Sequence, residues 1–186
     1  MPIQIGQRPQ ASFLNPLGLL SDCHRRIELF LNVLLTIAEE VDRKTLVGEQ
    51  RNAFDVALKY FREAAPLHTL DEEESLFPRL RDKRGENTEA ALATLNRLHQ
   101  DHKSVDVIHR SVDELGREWL RQGKLVPEKK QVLIGLLRQL ADAYRPHIAI
   151  EDSELFPLAA TMLNATELSA IAGEMASRRG LPLPGR

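Results

Sequence analysis

Two segments of the chain, 79 residues apart, place a histidine four residues before a glutamate and then close with Leu-Phe-Pro. They run from His68 to Pro78 and from His147 to Pro157. On a helix, residues i and i+4 lie about 40° apart around the axis and about 6 Å apart along it. An imidazole and a carboxylate at this spacing can converge on one metal ion. The duplicated pair can therefore hold two ions.

Length and composition indicate one soluble domain. A chain of 186 residues is long enough to bury a sizeable core. The net charge of −2 and the dispersed basic residues argue against a nucleic-acid partner. No apolar run approaches the roughly 20 residues that span a bilayer, and the first residues lack the apolar core of a signal peptide. The single cysteine, Cys23, excludes an intramolecular disulfide and favours a cytoplasmic location.

Hydrophobic spacing predicts four long helices, over residues 17–41, 49–81, 88–121 and 127–162, with a shorter one over 166–177. Asn15 and Pro16 suit the cap and first turn of the first helix. Pro66 and Pro146 each precede a motif histidine, so a bend or break is expected at both. The two Leu-Phe-Pro triplets are expected to be core and helix-exit residues.

These helices predict an all-α fold, an antiparallel up-down-up-down four-helix bundle with short connections. The bundle is assigned residues 17–163. Residues 1–16 are predicted to form an extended tail, and residues 164–186 a short C-terminal helix and tail. The chain also looks duplicated, because aligning His68 with His147 sets His24 opposite His102, 78 residues away.

The turns between these helices predict that the four histidines share one level. In an antiparallel hairpin, two residues share a level when they are equidistant from the turn. Each midpoint between successive histidines falls in or beside a predicted turn, near residues 46, 85 and 124. One layer should therefore hold the histidines, with Glu72 and Glu151 a turn away.

Four imidazoles and two carboxylates would be costly to bury without a cation. Two divalent ions could each take two imidazoles and share two carboxylate bridges. Mixed nitrogen and oxygen ligands with open positions favour iron over zinc, calcium or magnesium, and leave manganese open.

Other polar residues near this layer leave alternatives open. Glu28 and Asp106 repeat the i+4 spacing after His24 and His102, so they could be ligands, partners of the imidazoles or part of a solvated face. His99 fits a supporting or surface position better than a ligand position.

Two further features have mainly structural interpretations. His109 and Tyr144 could lie near the centre, where packing is the favoured interpretation. The acidic run at residues 71–74 is expected to be a solvated face, apart from its second residue.

These motifs resemble the hemerythrin-like family, whose members carry the HHE cation-binding domain. The resemblance covers residues 17–163 and implies a four-helix bundle around a non-haem di-iron centre, with Glu72 and Glu151 as bridging carboxylates. The residues that it implies as metal ligands are His24, His68, Glu72, His102, His147 and Glu151.

The chain departs from the oxygen-carrying members in two places. Those proteins use a fifth histidine on the third helix, where this chain has Asp106. Their last carboxylate is an aspartate five residues after its histidine, which would be Asp152; the match to the second helix favours Glu151. Fewer histidines favour redox chemistry or sensing over reversible oxygen carriage.

The resemblance implies a di-iron protein that binds or senses dioxygen, nitric oxide or peroxide. A di-iron oxidase or peroxidase, an iron-handling protein and a metal-free interaction module are the alternatives. Because no organic substrate pocket is marked in the sequence, binding or sensing is favoured over catalysis. The expected partner is a small diatomic molecule or peroxide, not nucleic acid or a membrane. The oligomeric state stays open, with a homodimer among the options.

Overall fold

The computed structural model describes residues 11–41, 45–83 and 88–182. Every regular element in these ranges is helical, which confirms the predicted all-α class. Most of the predicted N-terminal tail lies outside the described residues. None of the described helices combines the length and the apolarity that crossing a membrane requires. The elements are α1 (Pro16–Glu40), α2 (Gly48–Glu63), α3 (Ala65–Leu70), π1 (Asp71–Leu76), α4 (Phe77–Arg81), α5 (Thr88–Gln122), α6 (Pro127–Ile150), π2 (Glu151–Leu155), α7 (Phe156–Met162) and α8 (Ala165–Arg178).

Helix α1 begins as the sequence predicts. The Asn15 side chain accepts a hydrogen bond from the backbone N–H of Gly18, at 3.0 Å, and Pro16 occupies the first turn. A Cβ atom at Gly18 would lie 2.4 Å from the Asn15 amide nitrogen, so this cap requires glycine. Gly123, with a φ of 72°, follows the end of α5 and accepts a 2.7 Å hydrogen bond from the N–H of Leu46.

Proline has different effects in the two halves of the chain. The second helical stretch breaks at Ala64, and Pro66 lies in the first turn of α3, as the expected break before His68 requires. The corresponding expectation for Pro146 is wrong, because α6 runs through this residue from Pro127 to Ile150 without a break. The backbone irregularity of the second half comes later, at Glu151.

Both motifs pass through a short π-helix, a feature that is frequent at functional sites. In π1 the N–H of Phe77 bonds to the carbonyl of Glu72, five residues earlier; Phe156 bonds to Glu151 in the same way in π2. Each proline of Leu-Phe-Pro then lies in the first turn of a new α-helical segment, where no N–H donor is needed. The triplets are therefore buried core residues as expected, but the expectation that they end the helices is wrong.

The apolar core is divided into two clusters at the level of the motifs. On α1, Leu20 belongs to one cluster and Ile27 to the other; on α5, Leu98 and Val105 are divided in the same way. The larger cluster includes Phe54, Leu58, Trp119, Leu133 and Leu137, and the smaller includes Phe77, Leu95, Leu155, Phe156 and Ile171. A polar layer thus lies between two apolar ones.

Helix α8 covers the smaller cluster and is tied to π1 by ion pairs. Its Ile171 and Met175 are fully or almost fully buried in that cluster. Arg178 and Arg179 each contact the buried Asp71, at 3.0 and 2.7 Å. The C-terminal helix therefore supports the π-helix that carries Glu72.

Candidate metal centre

All six residues predicted as metal ligands lie together in the polar layer. Each is at most 7% exposed, and both glutamates are fully buried. They come from six different elements, because each π-helix contributes a glutamate beside the α-helical histidine that precedes it. The histidines are His24 on α1, His68 on α3, His102 on α5 and His147 on α6, and the glutamates are Glu72 on π1 and Glu151 on π2.

Glu72 presents its two carboxylate oxygens to histidines from different halves of the chain. Its Oε1 lies 3.2 Å from Nε2 of His68 and 3.7 Å from Nε2 of His24. Its Oε2 lies 3.4 Å from Nε2 of His102. This is the geometry of a carboxylate that can bridge two ions.

Glu151 also contacts histidines from both halves, through a single oxygen. Its Oε2 lies 3.1 Å from Nε2 of His24 and 3.2 Å from Nε2 of His147. The Nε2 atoms of His102 and His147 lie 3.0 Å apart. Five of these side chains thus point nitrogen or oxygen atoms at one small volume.

The ligand atoms form two groups that share Glu151. Within each group, one ligand atom per residue lies within 4.8 Å of all the others. Two atoms each about 2.1 Å from one ion, at angles of about 90–109°, would be about 3.0–3.4 Å apart, and the contacts above are close to this range. The first group is His24, His68, Glu72 and Glu151, and the second is His102, His147 and Glu151.

Unpaired polar atoms show that this layer suits a cation. Both oxygens of Glu72, both oxygens of Glu151 and Nε2 of His24 are buried and receive no hydrogen bond in the described part of the chain. Leaving such groups unpaired is costly, above all for carboxylates. A divalent cation would contact these atoms directly and would offset the repulsion between the two carboxylates.

The pKa values of the two glutamates move in opposite directions. Burial and the charge of Glu151 raise the pKa of Glu72 to about 8. Burial also acts to raise the pKa of Glu151, but hydrogen bonds from His147 and His24 hold it well below its usual range. Burial opposes the charge on His24, yet hydrogen bonds to Asp152, Glu151 and Glu72 raise its pKa to about 12. The layer therefore attracts positive charge.

Carboxylates outside the layer orient two of the histidines. Nδ1 of His24 lies 3.0 Å from Oδ1 of Asp152, and Nδ1 of His102 lies 2.8 Å from Oε1 of Glu73. Because a carboxylate accepts the Nδ1–H, each Nε2 directs its lone pair into the layer. Nδ1 of His147 has a longer contact, 3.4 Å, with Asp101.

The supporting role of the acidic run was missed from the sequence. The expectation of a solvated face at residues 71–74 is wrong for two positions: Asp71 is fully buried, and Glu73 binds His102. His99 takes the supporting position expected of it, since its Nδ1 lies 2.8 Å from the same Glu73 oxygen. A usable signal was present, because Glu73 and Asp152 are both acidic, each follows a motif glutamate, and they repeat at the motif's own offset.

A cavity of about 330 Å³ adjoins the centre and is lined by all four histidines of the layer. Its other walls include the apolar side chains of Ile27, Phe61 and Val105. His109 and Tyr144 also line it, joined by a 2.7 Å hydrogen bond between Nε2 and the phenol oxygen. The layer is therefore reachable by a small molecule.

Residues 15–159 match the family model of the hemerythrin HHE cation-binding domain. The chain belongs to this family. It is also similar to an uncharacterized protein of Haemophilus influenzae, with 26% identity over 170 residues that cover 91% of this chain and 92% of that protein. The hemerythrin match spans every residue of the two groups of ligand atoms.

The hemerythrin family comparison clarifies the open positions. Asp106, which stands where oxygen-carrying members have a fifth histidine, is exposed at the cavity wall and belongs to neither ligand group. Glu28 is exposed as well. Asp152 supports His24 from outside, while Glu151 faces the histidines. Of these two adjacent acids, the geometry therefore favours Glu151 as the ligand.

Proposed function

We propose that this hemerythrin-family chain holds two non-haem iron ions, with Glu72 and Glu151 bridging them. The observation that carries the proposal is the position of Glu72, whose two oxygens face His68 and His102 from opposite halves of the chain. In the assignment that follows, one ion would be held by His24 and His68 and the other by His102 and His147.

Iron is proposed because of the donor set. The two ligand groups contain imidazole nitrogen and carboxylate oxygen and no thiolate, and they leave coordination positions for an added ligand. The thiol of Cys23 is buried, and burial raises its pKa, so it is not prepared to act as a thiolate ligand. Manganese is the next metal that this donor set suits, and zinc follows.

We infer that the site binds or senses dioxygen, nitric oxide or peroxide from the adjoining cavity. Bound iron would supply electron transfer and an open coordination position there. The protein's own contribution is to fix the imidazoles through Asp152 and Glu73, and to shield the layer between two apolar clusters. The size of the cavity favours a di-iron oxidase or peroxidase as the second candidate, since about 330 Å³ exceeds the needs of a diatomic ligand.

The antiparallel up-down-up-down order of the four long helical stretches is part of the proposal. Two observations support it. The hydrogen bond from Leu46 to Gly123 joins the connection after α1 to the end of α5. In addition, all four stretches pass between the same two apolar clusters at the level of the motifs.

Metal analysis with optical spectroscopy of the aerobically purified protein tests this function. We expect about two irons per chain, by analogy with other di-iron bundles, and oxo-to-iron charge-transfer absorption in the near ultraviolet. Fewer than one bound metal per chain, with no absorption band after anaerobic iron loading, would defeat the proposal. An unchanged melting temperature after chelation would favour the metal-free interaction module.

A further inference from the structure

Two cavities of the protein meet at His109. The inner cavity is the one that contains the four histidines of the metal centre. The outer one, here called the α2–α5 groove, has a volume of about 530 Å³ and includes the exposed side chains of Arg62 and Arg117. Four residues line both cavities, and they mark the junction between groove and inner cavity: Phe61, Pro66, Asp106 and His109.

The imidazole of His109 is held at this junction by two contacts. Its Nε2 shares a 2.7 Å hydrogen bond with the hydroxyl of Tyr144 on α6. Its ring stacks on Phe61 of α2, with centroids 5.2 Å apart and planes inclined by 28°. The side chain therefore spans from one neighbouring helix to the other, across the line that joins the two cavities.

The junction is uncharged on its inner side. Burial lowers the pKa of His109 to about 4, so the ring is neutral near pH 7. Burial also raises the pKa of Tyr144, which keeps its hydroxyl protonated. A neutral molecule that crosses the junction consequently meets one aromatic ring, Phe61, and one neutral hydrogen-bonded pair.

The neighbouring cavities are less suited to serve as an entrance. The cavity along α5 and α6, beside His102 and His147, has a volume of only about 10 Å³. The cavity around Cys23 measures about 400 Å³, but none of its lining residues lines the inner cavity. The α2–α5 groove is both large and continuous with the inner cavity at shared residues.

We propose that ligands reach the metal centre through the α2–α5 groove, and that His109 is the gate that selects small uncharged molecules by size. The inference rests on the proposed metal centre and adds the route and the selecting residue. Hydrogen peroxide would pass the closed gate, whereas an organic hydroperoxide with a bulky alkyl group would be retarded. Tyr144 is a positioning residue that holds the gate closed through its hydrogen bond.

The experiment compares hydrogen peroxide with tert-butyl hydroperoxide as oxidants of the iron-loaded, reduced protein, in stopped flow. Each oxidant accepts two electrons, one from each ferrous ion, and two protons; its O–O bond breaks to give two waters, or one water and tert-butanol. In the unaltered protein we expect the bulky oxidant to react at least about tenfold more slowly than in His109→Ala, a ratio at the low end of size discrimination by protein pockets.

The variants have distinct expected effects. His109→Ala should speed tert-butyl hydroperoxide much more than hydrogen peroxide, and Tyr144→Phe should do so to a smaller degree. His109→Trp should slow both oxidants by filling the junction. Val107→Trp is the matched control, because it adds the same indole two residues away at a position that is 58% exposed, and its rates should be unchanged.

Two further measurements separate this inference from the proposed function. Iron content is determined for every variant, and the absence of bound iron from the unaltered protein would overturn both. If iron is retained but the ratio of the two rates is the same in His109→Ala, His109→Trp and the control, the gate is wrong and the metal centre stands. Crystal structures supply a readout without turnover: His109→Ala should join groove and inner cavity into one channel, and two separate cavities in that variant would contradict the route.

Discussion

Nδ1 of His24 lies 3.0 Å from a carboxylate oxygen of Asp152, the residue that directly follows Glu151. The other half of the chain repeats this relationship between His102 and Glu73, at 2.8 Å. In each adjacent pair of acids, the first side chain faces the metal layer and the second holds a histidine from the preceding long helix. The duplication therefore includes the supporting carboxylates as well as the ligands.

Removal of this support should weaken metal binding without abolishing it. We expect Asp152→Ala to lower iron affinity about 10- to 100-fold, because the imidazole of His24 loses the acceptor that fixes its tautomer and orientation. Competition with a chelator of known affinity measures the change. Glu154→Ala is the control, since this acid is exposed on the same π-helix and should leave affinity unchanged. Equal affinities for the two variants would contradict the supporting role.

Each bridging carboxylate should be needed for both ions. Glu72 and Glu151 contact histidines from both halves of the chain, so Glu72→Ala or Glu151→Ala alone should reduce the metal content to less than half and remove the charge-transfer band. Elemental analysis and absorption spectra measure both effects. Glu74→Ala serves as the control for π1, because its side chain is 59% exposed. Full metal content with an unchanged spectrum in either variant would show that its carboxylate does not bridge.

The metal-free protein should lose stability as the pH rises. The pKa of Glu72 is raised from 4.5 to about 8, so the folded chain keeps a proton that the unfolded chain has lost between these values. The stability from this proton is complete below pH 4.5 and is lost as the pH rises through 8. His24, with its pKa raised from 6.5 to about 12, acts in the same direction above pH 6.5.

Thermal melts at about pH 6 and about pH 9 test this dependence. After chelation, the melting temperature should be lower at the higher pH, by on the order of several degrees, because each kcal/mol shifts it by about 2–4 °C in a chain of this size. The iron-loaded protein should not follow this trend, since protons compete with the metal for the same ligands. A melting temperature that rises with pH after chelation would contradict the opposed charges in the layer.

Asp71 should matter for stability more than its acidic neighbours do. Its carboxylate is fully buried and contacts Arg178 and Arg179 of α8. We expect Asp71→Ala to destabilise the fold by about 1–3 kcal/mol, since the two partly buried guanidinium groups lose their acceptor. Glu74, which contacts Arg178 but is 59% exposed, provides the comparison: Glu74→Ala should cost less than about 0.5 kcal/mol. Urea denaturation measures both, and similar losses would refute the difference.

The helices and the convergence of the six residues could be predicted because they depend on local spacing and repetition. The cap at Asn15 and the end at Gly123 follow from residue preferences alone. The common level of the four histidines follows from their distances to three turns. These features need only helix geometry and the order of elements along the chain, and both are written in the sequence.

The π-helices and the supporting carboxylates could not be predicted in the same way. Whether a proline such as Pro78 ends a helix or begins a new segment depends on how the buried Phe77 packs, which is a tertiary property. Likewise, the sequence does not show that Asp71 is buried, because its partners lie more than 100 residues away on α8. Pro146 illustrates the opposite error, since an intact helix tolerates it.

Anomalous diffraction at the iron absorption edge, from a crystal of the iron-loaded protein, tests the central claim most directly. The account predicts two peaks about 3.5–4 Å apart, the usual separation in two-metal sites, with the carboxylates of Glu72 and Glu151 between them. One peak should lie against His24 and His68, and the other against His102 and His147. A single peak, or peaks outside this layer, would contradict a di-iron centre bridged by the two motif glutamates.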